Sequence, residues 1–496
     1  MDSAASTTAP TPTGQGERGI LDRWFELTAR GSTWGREIRG GLVTFFAMAY
    51  IIALNPAIIG TVPDINGHLI TGQEVSDANI AVSKAAVAAG TALIAGVMTI
   101  LMGVVGRYPL ALAAGLGLNA LLAYTLAPIM TWPQAMGLVV LEGALITILV
   151  LTGFRTAVFR AVPAFLRAAI SVGIGVFITF VGLVDGGVIR PAQGTPVTLG
   201  INGSLMGWPI GIFLFGLLLG AVLYTRSVRG GLLISIVVAT IVAVIVQNVH
   251  PLGTLLGGQV DGWKANPPVL GSWGAPDFQL LGRVDIFGAF TQRGLTALGI
   301  VLLIFSLLLA DFFDTMGTVV AVGAEGRLLD GNGNPPHLTG ILLIDSLAAM
   351  AGGLGSSSSN TSYVESISGV AEGARTGIAS VVTGACFLIA IVASPVVSLI
   401  PAEAVSPVLV IVGALMMSSV TEIKWSQMEQ AIPAFLTIVF MPFAYSITVG
   451  IGMGFVMHVV LEIAKGRARR IHPLMWLVSA LFVLYFMQGL LGRLVG

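Results

Sequence analysis

Residues 109–125 read PLALAAGLGLNALLAYT, and residues 352–373 read GGLGSSSSNTSYVESISGVAEG. Both are too short, or too rich in small and polar residues, for a plain membrane-crossing helix, which takes about 20 apolar residues. Longer apolar runs surround each of them. Those around the first lie near 41–61, 80–105, 131–153, 162–184, 208–225 and 230–249. Those around the second lie near 294–322, 337–354, 376–400, 404–421, 431–447 and 448–464. Counting the two short segments, near 109–125 and 359–373, the order is seven runs, a polar stretch from 250 to 285, and seven more. Each short segment is third in its group. An odd number of crossings inverts the second group relative to the first. The expected fold is therefore an all-α polytopic membrane protein with 14 transmembrane spans in two inverted repeats of seven. Interrupted helices at matching positions of inverted repeats meet near the midplane and form the substrate site. Taken singly, Gly115 and Gly117 read equally well as close helix packing, and the serine run as a loop. Their matching positions favour the site.

Composition points the same way. The chain has 496 residues, with 24 Lys and Arg and 24 Asp and Glu, so 10% are charged. An ordinary soluble domain has about 25%. Hydrophobic residues make up 55% and the mean hydropathy is +0.93. These values exclude disorder for most of the chain and a soluble surface. A net charge of zero excludes a nucleic-acid binder. The single cysteine, Cys386, excludes an internal disulfide and any CxxC metal site. The histidines, at 68, 250, 337, 458 and 472, lie mostly in loops or at span ends and show no metal-ligand spacing. No GxxxxGK[ST] loop occurs, and Ser356–Ser359 form no nucleophile elbow. The expectation is a transporter that is not an enzyme and needs no metal or cofactor.

The ends and loops give the organisation. Residues 1–40 form an N-terminal tail and an amphipathic segment. The first 17 residues are Ser/Thr/Pro-rich without an apolar core, so they read as a disordered tail and not a signal peptide. Residues 20–39 mix Trp24, Phe25 and Leu27 with Arg23, Arg30, Arg36 and Arg39, which suits a segment on the inner membrane face. The first repeat covers 41–249, a connector on the outer side 250–285, and the second repeat 286–465. Residues 466–496 hold a basic segment and an extra hydrophobic run at 473–491, read as a helix resting on the membrane and not a fifteenth span. Basic residues cluster on alternate loops: Arg107, Arg155, Arg160, Arg167, Arg226, Arg229, Arg327, Arg375 and Lys424, then Lys465, Arg467, Arg469 and Arg470. The other loops hold Lys84, Arg190, Lys264, Arg283 and Arg293. This bias puts both ends in the cytoplasm.

Acids within the apolar runs need a reason, because an ionised group at a helix centre costs about 2.5–3.5 kcal/mol on insertion scales. Asp311 and Asp314 lie in SLLLADFFDTMGTVV, three apart and so on one helical face, with Thr315 beside them. Glu365 and Glu372 are seven apart and also share a face. Like carboxylates in a dry site cannot all ionise, so at least one carries a proton, as in a proton-coupled carrier. Asp311 and Glu365 read as functional. Glu372 reads as an interfacial ion pair with Arg375. Glu142 and Asp345 lack a polar neighbourhood in sequence and read as anchors of helix packing. Gly369, Gly373 and Gly377 read as a close-packing stripe.

With these motifs assembled, the chain resembles the nucleobase–cation symporter-2 superfamily, in its adenine/guanine/hypoxanthine permease branch. The resemblance rests on REIRGGLVTFFAMAYIIALNPAII (36–59), AGLGLNALLAY (114–124), ADFFDTMGTVVAVG (310–323), TSYVESISGVAEGARTG (361–377) and AIPAFLTIVFMPFAYSITVGIGMGF (431–455). It implies a core domain of spans 1–4 and 8–11, a gate domain of spans 5–7 and 12–14, and third and tenth spans built as strand then helix. It implies that Asp311 and Glu365 hydrogen-bond the base and that Asn119 lines the site. Asp314 is a family position too, and Ser366 completes the implied set beside Glu365. Phe312 or Phe313 offers a ring to stack on the base. The proton-coupling candidates are Asp311, Asp314 and Glu365. The family pattern APGMGLN reads Ala113–Asn119, AAGLGLN, here, and the serine run before Tyr363 is longer than usual. Both departures bear on which base is preferred.

The resemblance implies import of purine nucleobases (hypoxanthine, guanine, adenine) by proton symport with alternating access. It also implies a homodimer in the cell membrane. The alternative is an anion or other small-solute carrier or channel on the same scaffold, which would favour Arg or an empty helix-dipole pocket over Asp311 and Glu365.

Overall fold

Peptide groups away from water must bond one another, so long apolar runs fold as helices. The computed structural model describes residues 20–152, 162–192, 194–264, 267–269, 275–292, 294–330 and 335–495, with the backbone alone for Phe313 and 488–495. The expected tail at 1–17 and the loop arginines Arg155, Arg160 and Arg293 lie outside the described residues. In chain order, α1 (Ile20–Phe25), α2 (Trp34–Met48), α3 (Ile51–Ile59) and α4 (Asp77–Leu101) precede strand β1 (Leu112–Ala114) and α5 (Leu116–Leu121). Next come α6 (Trp132–Leu151), α7 (Ala164–Asp185), the hairpin β2 (Ile189–Arg190) and β3 (Thr198–Leu199), α8 (Trp208–Thr225) and α9 (Gly231–Val249). After the connector follow α10 (Ala297–Gly326), α11 (Leu338–Leu354), strand β4 (Asn360–Ser362), α12 (Ser366–Ala371) and α13 (Gly377–Ala390). The chain closes with α14 (Ala402–Met416), α15 (Met428–Phe443), α16 (Ile447–Ala464) and α17 (Pro473–Val495).

Among the described residues, 10 helices are long and apolar enough to cross a membrane, and four shorter apolar helices accompany them. The protein is a mostly helical, multi-pass membrane protein. Side-chain caps start several helices where the sequence supplies Ser or Thr: Ser76 for α4, Thr296 for α10, Thr376 for α13 and Ser446 for α16.

Helix α4, which continues as a wider turn through Gly106, meets α13 backbone to backbone. A Cβ on Gly377 would overlap the Gly103 carbonyl, and one on Gly384 would meet the Gly96 carbonyl. Both pairs are seven residues apart, so small residues recur on one face of each helix. The expected Gly369–Gly373–Gly377 stripe is split. Helix α12 ends at Ala371, and Gly373 occupies a turn with φ of +102° beside Arg36. Gly369 still packs closely, on Gly40 and Thr44 of α2.

The buried carboxylate of Glu37 in α2 serves the start of α13. It accepts the backbone N–H groups of Arg375 (2.8 Å), Thr376 (3.3 Å) and Ala379 (3.3 Å). These are groups a helix start cannot satisfy itself, and an anion suits the positive end of its dipole. The amphipathic segment docks on protein. Phe25 and Leu27 are buried against Ile378, the Trp24 indole donates to Val104 O at 2.9 Å, and Arg107 lies over the Trp24 ring. Arg30 donates to the carbonyls of Arg107 (2.9 Å) and Arg375 (3.1 Å), so these basic termini share one face of the molecule. The opposite face carries the connector. There Trp263 is buried and donates to Gln247, Arg190 donates to Val260 O, and Arg283 donates to Thr71 O.

Two stability predictions follow from these contacts. Glu37→Ala leaves three backbone donors unpaired in an apolar site and should destabilise the protein by about 1–3 kcal/mol, seen as a lower thermal midpoint in detergent. Glu37→Gln keeps an acceptor and should lose less. Gly377→Leu forces α4 and α13 apart, and should remove most of the monodisperse protein in size-exclusion chromatography.

Candidate functional site

Strands β1 and β4 pair antiparallel in the interior, with Leu112 opposite Ser362, Ala113 opposite Thr361 and Ala114 opposite Asn360. A two-stranded sheet in an apolar interior must find partners for its outer edges as well. Side chains supply them. The Thr99 hydroxyl bonds both the N–H and the C=O of Leu112 at 3.0 Å. Ser366 Oγ accepts the Ala111 N–H at 3.0 Å, and Ser380 Oγ the Leu110 N–H at 2.8 Å. The Tyr363 hydroxyl donates to Ala114 O at 2.6 Å. Backbone bonds Gly115 N to Ser359 O and Tyr363 N to Ala111 O extend the ladder at both ends. Ala113, Ala114 and Gly115 permit this approach, since a Cβ on Gly115 would stand 2.7 Å from Thr361. Helices α5 and α12 start directly beyond the strands.

A cavity of about 550 Å³ lies at this crossing, within the ~300–1,000 Å³ range usual for small-molecule sites. Gly115, Gly117 and Leu118 of the first short segment form one wall, with Ile174 of α7. Asp314, Gly317 and Thr318 of α10 form another, and Val364 closes the end at β4. Towards its mouth it meets Arg167 and Glu422, at the start of α7 and just beyond α14. That is the face where Arg30 binds the Arg107 and Arg375 carbonyls. Asp314 is exposed to the cavity. Glu365, next to Val364, is half-buried, and the Tyr50 hydroxyl donates to its Oε1 at 2.5 Å. The charges of Asp314 and Glu365 lie close enough to act on one another.

Asp311 lies behind this front, fully buried. Three residues turn a helix by about 300°, so Asp311 and Asp314 point about 60° apart. That offset separates them here. Asp311 faces Glu142 of α6 and Asp345 of α11, beside Thr361. Asp345 accepts hydroxyl hydrogens from Thr315 and Ser362, both at 2.8 Å. Glu142 Oε2 accepts from Ser359 at 3.1 Å. Glu142 and Asp345, expected as packing anchors, therefore join the polar cluster around β4. Sequence could flag them only as acids in apolar runs. Ser359 reaches Glu142 from far along the chain, and Ser362 reaches Asp345 from the next element.

The remaining expected residues divide as follows. Asn119 is fully buried, and neither its amide oxygen nor its nitrogen has a hydrogen-bond partner among the described residues. Ser366 is used in holding β1 and lies on the side away from the cavity. Phe312 is buried and does not line the cavity, and the Phe313 side chain lies outside the described residues. Glu372 forms an ion pair as expected, but with Arg39 (3.1 Å) and Arg229 and not with Arg375, whose guanidinium binds carbonyls of Val370 and Ala374. Glu365 and Glu372 cap opposite ends of α12, so they do not act together. Among the described residues no His, Cys, Asp and Glu group could hold a metal ion.

The connector side is held by polar contacts and packed rings. Lys264 forms an ion pair with Asp185 at the end of α7, and Asp185 Oδ2 accepts the Tyr124 hydroxyl at 2.9 Å. The Lys264 N–H donates to Glu403 at 2.7 Å, and buried Lys84 donates to the Ile400 carbonyl. Tyr445 meets Tyr124, Phe177 and Phe180 edge to face.

This architecture has solved counterparts. The transmembrane domain of a cyanobacterial bicarbonate transporter, BicA, superposes with a TM-score of 0.57 over 84% of this chain and 97% of that one, at 14% identity. The anion transporter SLC26A9 superposes at 0.58 over 92% and 73%, at 11% identity. In sequence, the guanine/hypoxanthine permease PbuG of Bacillus subtilis is 36% identical over 94% of this chain and 99% of its own length. The adenine permease AdeP of Escherichia coli is 34% identical over 94% and 96%. The permease family (Xan_ur_permease) matches residues 35–453, a span that holds both strands and every acid around them, and the chain belongs to that family: it is a membrane transport protein and not an enzyme.

Proposed function

We propose that this permease imports purine nucleobases by proton symport with alternating access. The observation that carries this reading is the cavity of about 550 Å³ at the β1–β4 crossing, with Asp314 on its wall and Val364, the neighbour of Glu365, at its end. It occurs in a chain 36% identical to a guanine/hypoxanthine permease. A purine edge presents ring N–H donors that two carboxylates can accept, and ring nitrogens or carbonyls that an amide or backbone N–H can serve. Asp314 and Glu365 take the N–H groups, and the unpaired amide of Asn119 supports the site from α5. Asp311 reaches the base from behind. The alternative anion carrier is disfavoured by these same acids, although the fold resembles anion transporters.

The architecture under this reading is fourteen spans in two inverted repeats, 41–249 and 286–465, joined by the connector 250–285. Segments 1–40 and 466–496 flank them. Strands β1 and β4 are the equivalent elements of the two repeats. Spans 1–4 and 8–11 form the core that carries the acids, and spans 5–7 and 12–14 the gate. Basic residues on one face make that face cytoplasmic, with the N-terminus inside the cell membrane. The cavity then opens inward, and the Lys264–Asp185–Tyr124 contacts close the outer side. The working unit is a homodimer, and the coupling ion is H⁺.

Uptake of labelled hypoxanthine, guanine and adenine into cells lacking purine transport tests the substrate class. Glu365→Ala should lower uptake at least tenfold at equal surface expression, and normal uptake would remove Glu365 from the site. A protonophore should abolish accumulation, and unchanged accumulation would end the symport reading. For the outer closure, Asp185→Asn removes the ion pair with Lys264. It should raise amide hydrogen exchange of Leu122–Ala127 and Gly186–Val188 about tenfold, and equal rates would show that these contacts close nothing.

A further inference from the structure

Helices α6 and α10 pack together, and the Glu142 and Asp311 carboxyls interact there. Both side chains are fully buried. Glu142 Oε1 and both Asp311 oxygens accept no hydrogen from any donor among the described residues. Thr361 stands beside Asp311, but its hydroxyl hydrogen goes to Thr315 at 2.8 Å, because Thr315 gives its own to Asp345. Two acceptor-only carboxylates in contact in a dry interior repel each other. The charged groups facing Glu142 are acids: Asp311 from α10 and Asp345 from α11. Near the start of α6, Asp285 bonds Pro133 O through its backbone, about two turns from Glu142. Asp345 has two hydroxyl donors and is satisfied as a carboxylate. The Glu142–Asp311 contact lacks one hydrogen.

We propose that Glu142 and Asp311 share the transported proton, and that Glu142 is the acid whose protonation couples the proton gradient to movement of the base. This deepens the symport reading above and rests on it. With the proton on Glu142, its O–H donates to Asp311. Asp311 then stays in place as a single carboxylate with a lone pair free for a base N–H. Without the proton the pair carries two like charges, and Asp311 cannot be held there. Proton and base therefore favour each other's binding, as symport requires. The proton joins the Glu142 carboxylate as an O–H bond on one side of the membrane and leaves by breaking that bond on the other. No other bond changes. Glu142 lines no part of the cavity, so the proton sits on the far side of Asp311 from the base.

The test uses purified protein in liposomes. Glu142→Gln places an amide donor where the proton sits, without titration. Hypoxanthine exchange at equal concentrations should lose its pH dependence. Accumulation driven by an imposed pH step should fall at least tenfold. If the folded variant still accumulates base, or loses exchange as well, the assignment to Glu142 is overturned. If the unsubstituted protein does not respond to the pH step, the symport reading fails first and this inference with it. Should Glu142→Gln not yield monodisperse protein, Glu142→Asp keeps the titrating group with a shorter reach. Its accumulation should then follow a displaced pH profile, and an unchanged profile overturns the proposal.

Discussion

Two three-residue strands lie in an interior that offers no water to their backbones, and the rest of the structure answers that constraint. Extended peptide in such a place stands only if every N–H and C=O finds a partner. The strands satisfy one edge by pairing with each other. Thr99, Ser366, Ser380 and Tyr363 satisfy much of the remainder. This requirement explains why hydroxyl residues cluster where an ordinary helix bundle would place leucine. It also ties the two halves of the chain together at one point, since neither strand is satisfied alone.

The same pair divides the acids. Asp314 lines the cavity and Glu365 adjoins it next to Val364, while Asp311, Glu142 and Asp345 lie off the cavity, the last two bonded by the hydroxyls of Ser359, Thr315 and Ser362. The acids therefore fall into two sets, one at the cavity and one buried next to it. A helical offset of about 60° between Asp311 and Asp314 suffices to assign them to different places.

At the level of the whole molecule, the ends are unlike. One face carries the docked amphipathic segment and the mouth of the cavity beyond Arg167 and Glu422. The other is held by Lys264, Asp185 and Tyr124 beneath a folded connector. Close glycine contacts between α4 and α13 keep the helices around the strands in register. The contacts at the connector side are a few polar bonds and edge-on rings, which can be exchanged for others more readily than a packed backbone seam.

Much of this was legible in the residues. Apolar length marked the helices, because only intrasegment hydrogen bonding suits an apolar surrounding. Several bounds agree closely, but the first run starts at Trp34 and not 41, and α13 ends at Ala390 and not 400. The short segments at 109–125 and 352–373 marked the crossing, and the acids at 311, 314 and 365 marked its neighbourhood. Residue type and spacing are local quantities, so they reach this far. They do not say which distant group a side chain meets. Glu142 read as a packing anchor because Ser359 and Asp311 lie far away in sequence. Ser366 read as a site residue because it follows Glu365, yet its hydroxyl holds Ala111. Glu372 read as the partner of nearby Arg375, yet Arg39 and Arg229 reach it from other elements. The sequence by itself determined a membrane transporter and the segments that cross at its centre. Only the tertiary structure decided which acids face the cavity and which face one another, because that depends on contacts between groups brought together by folding.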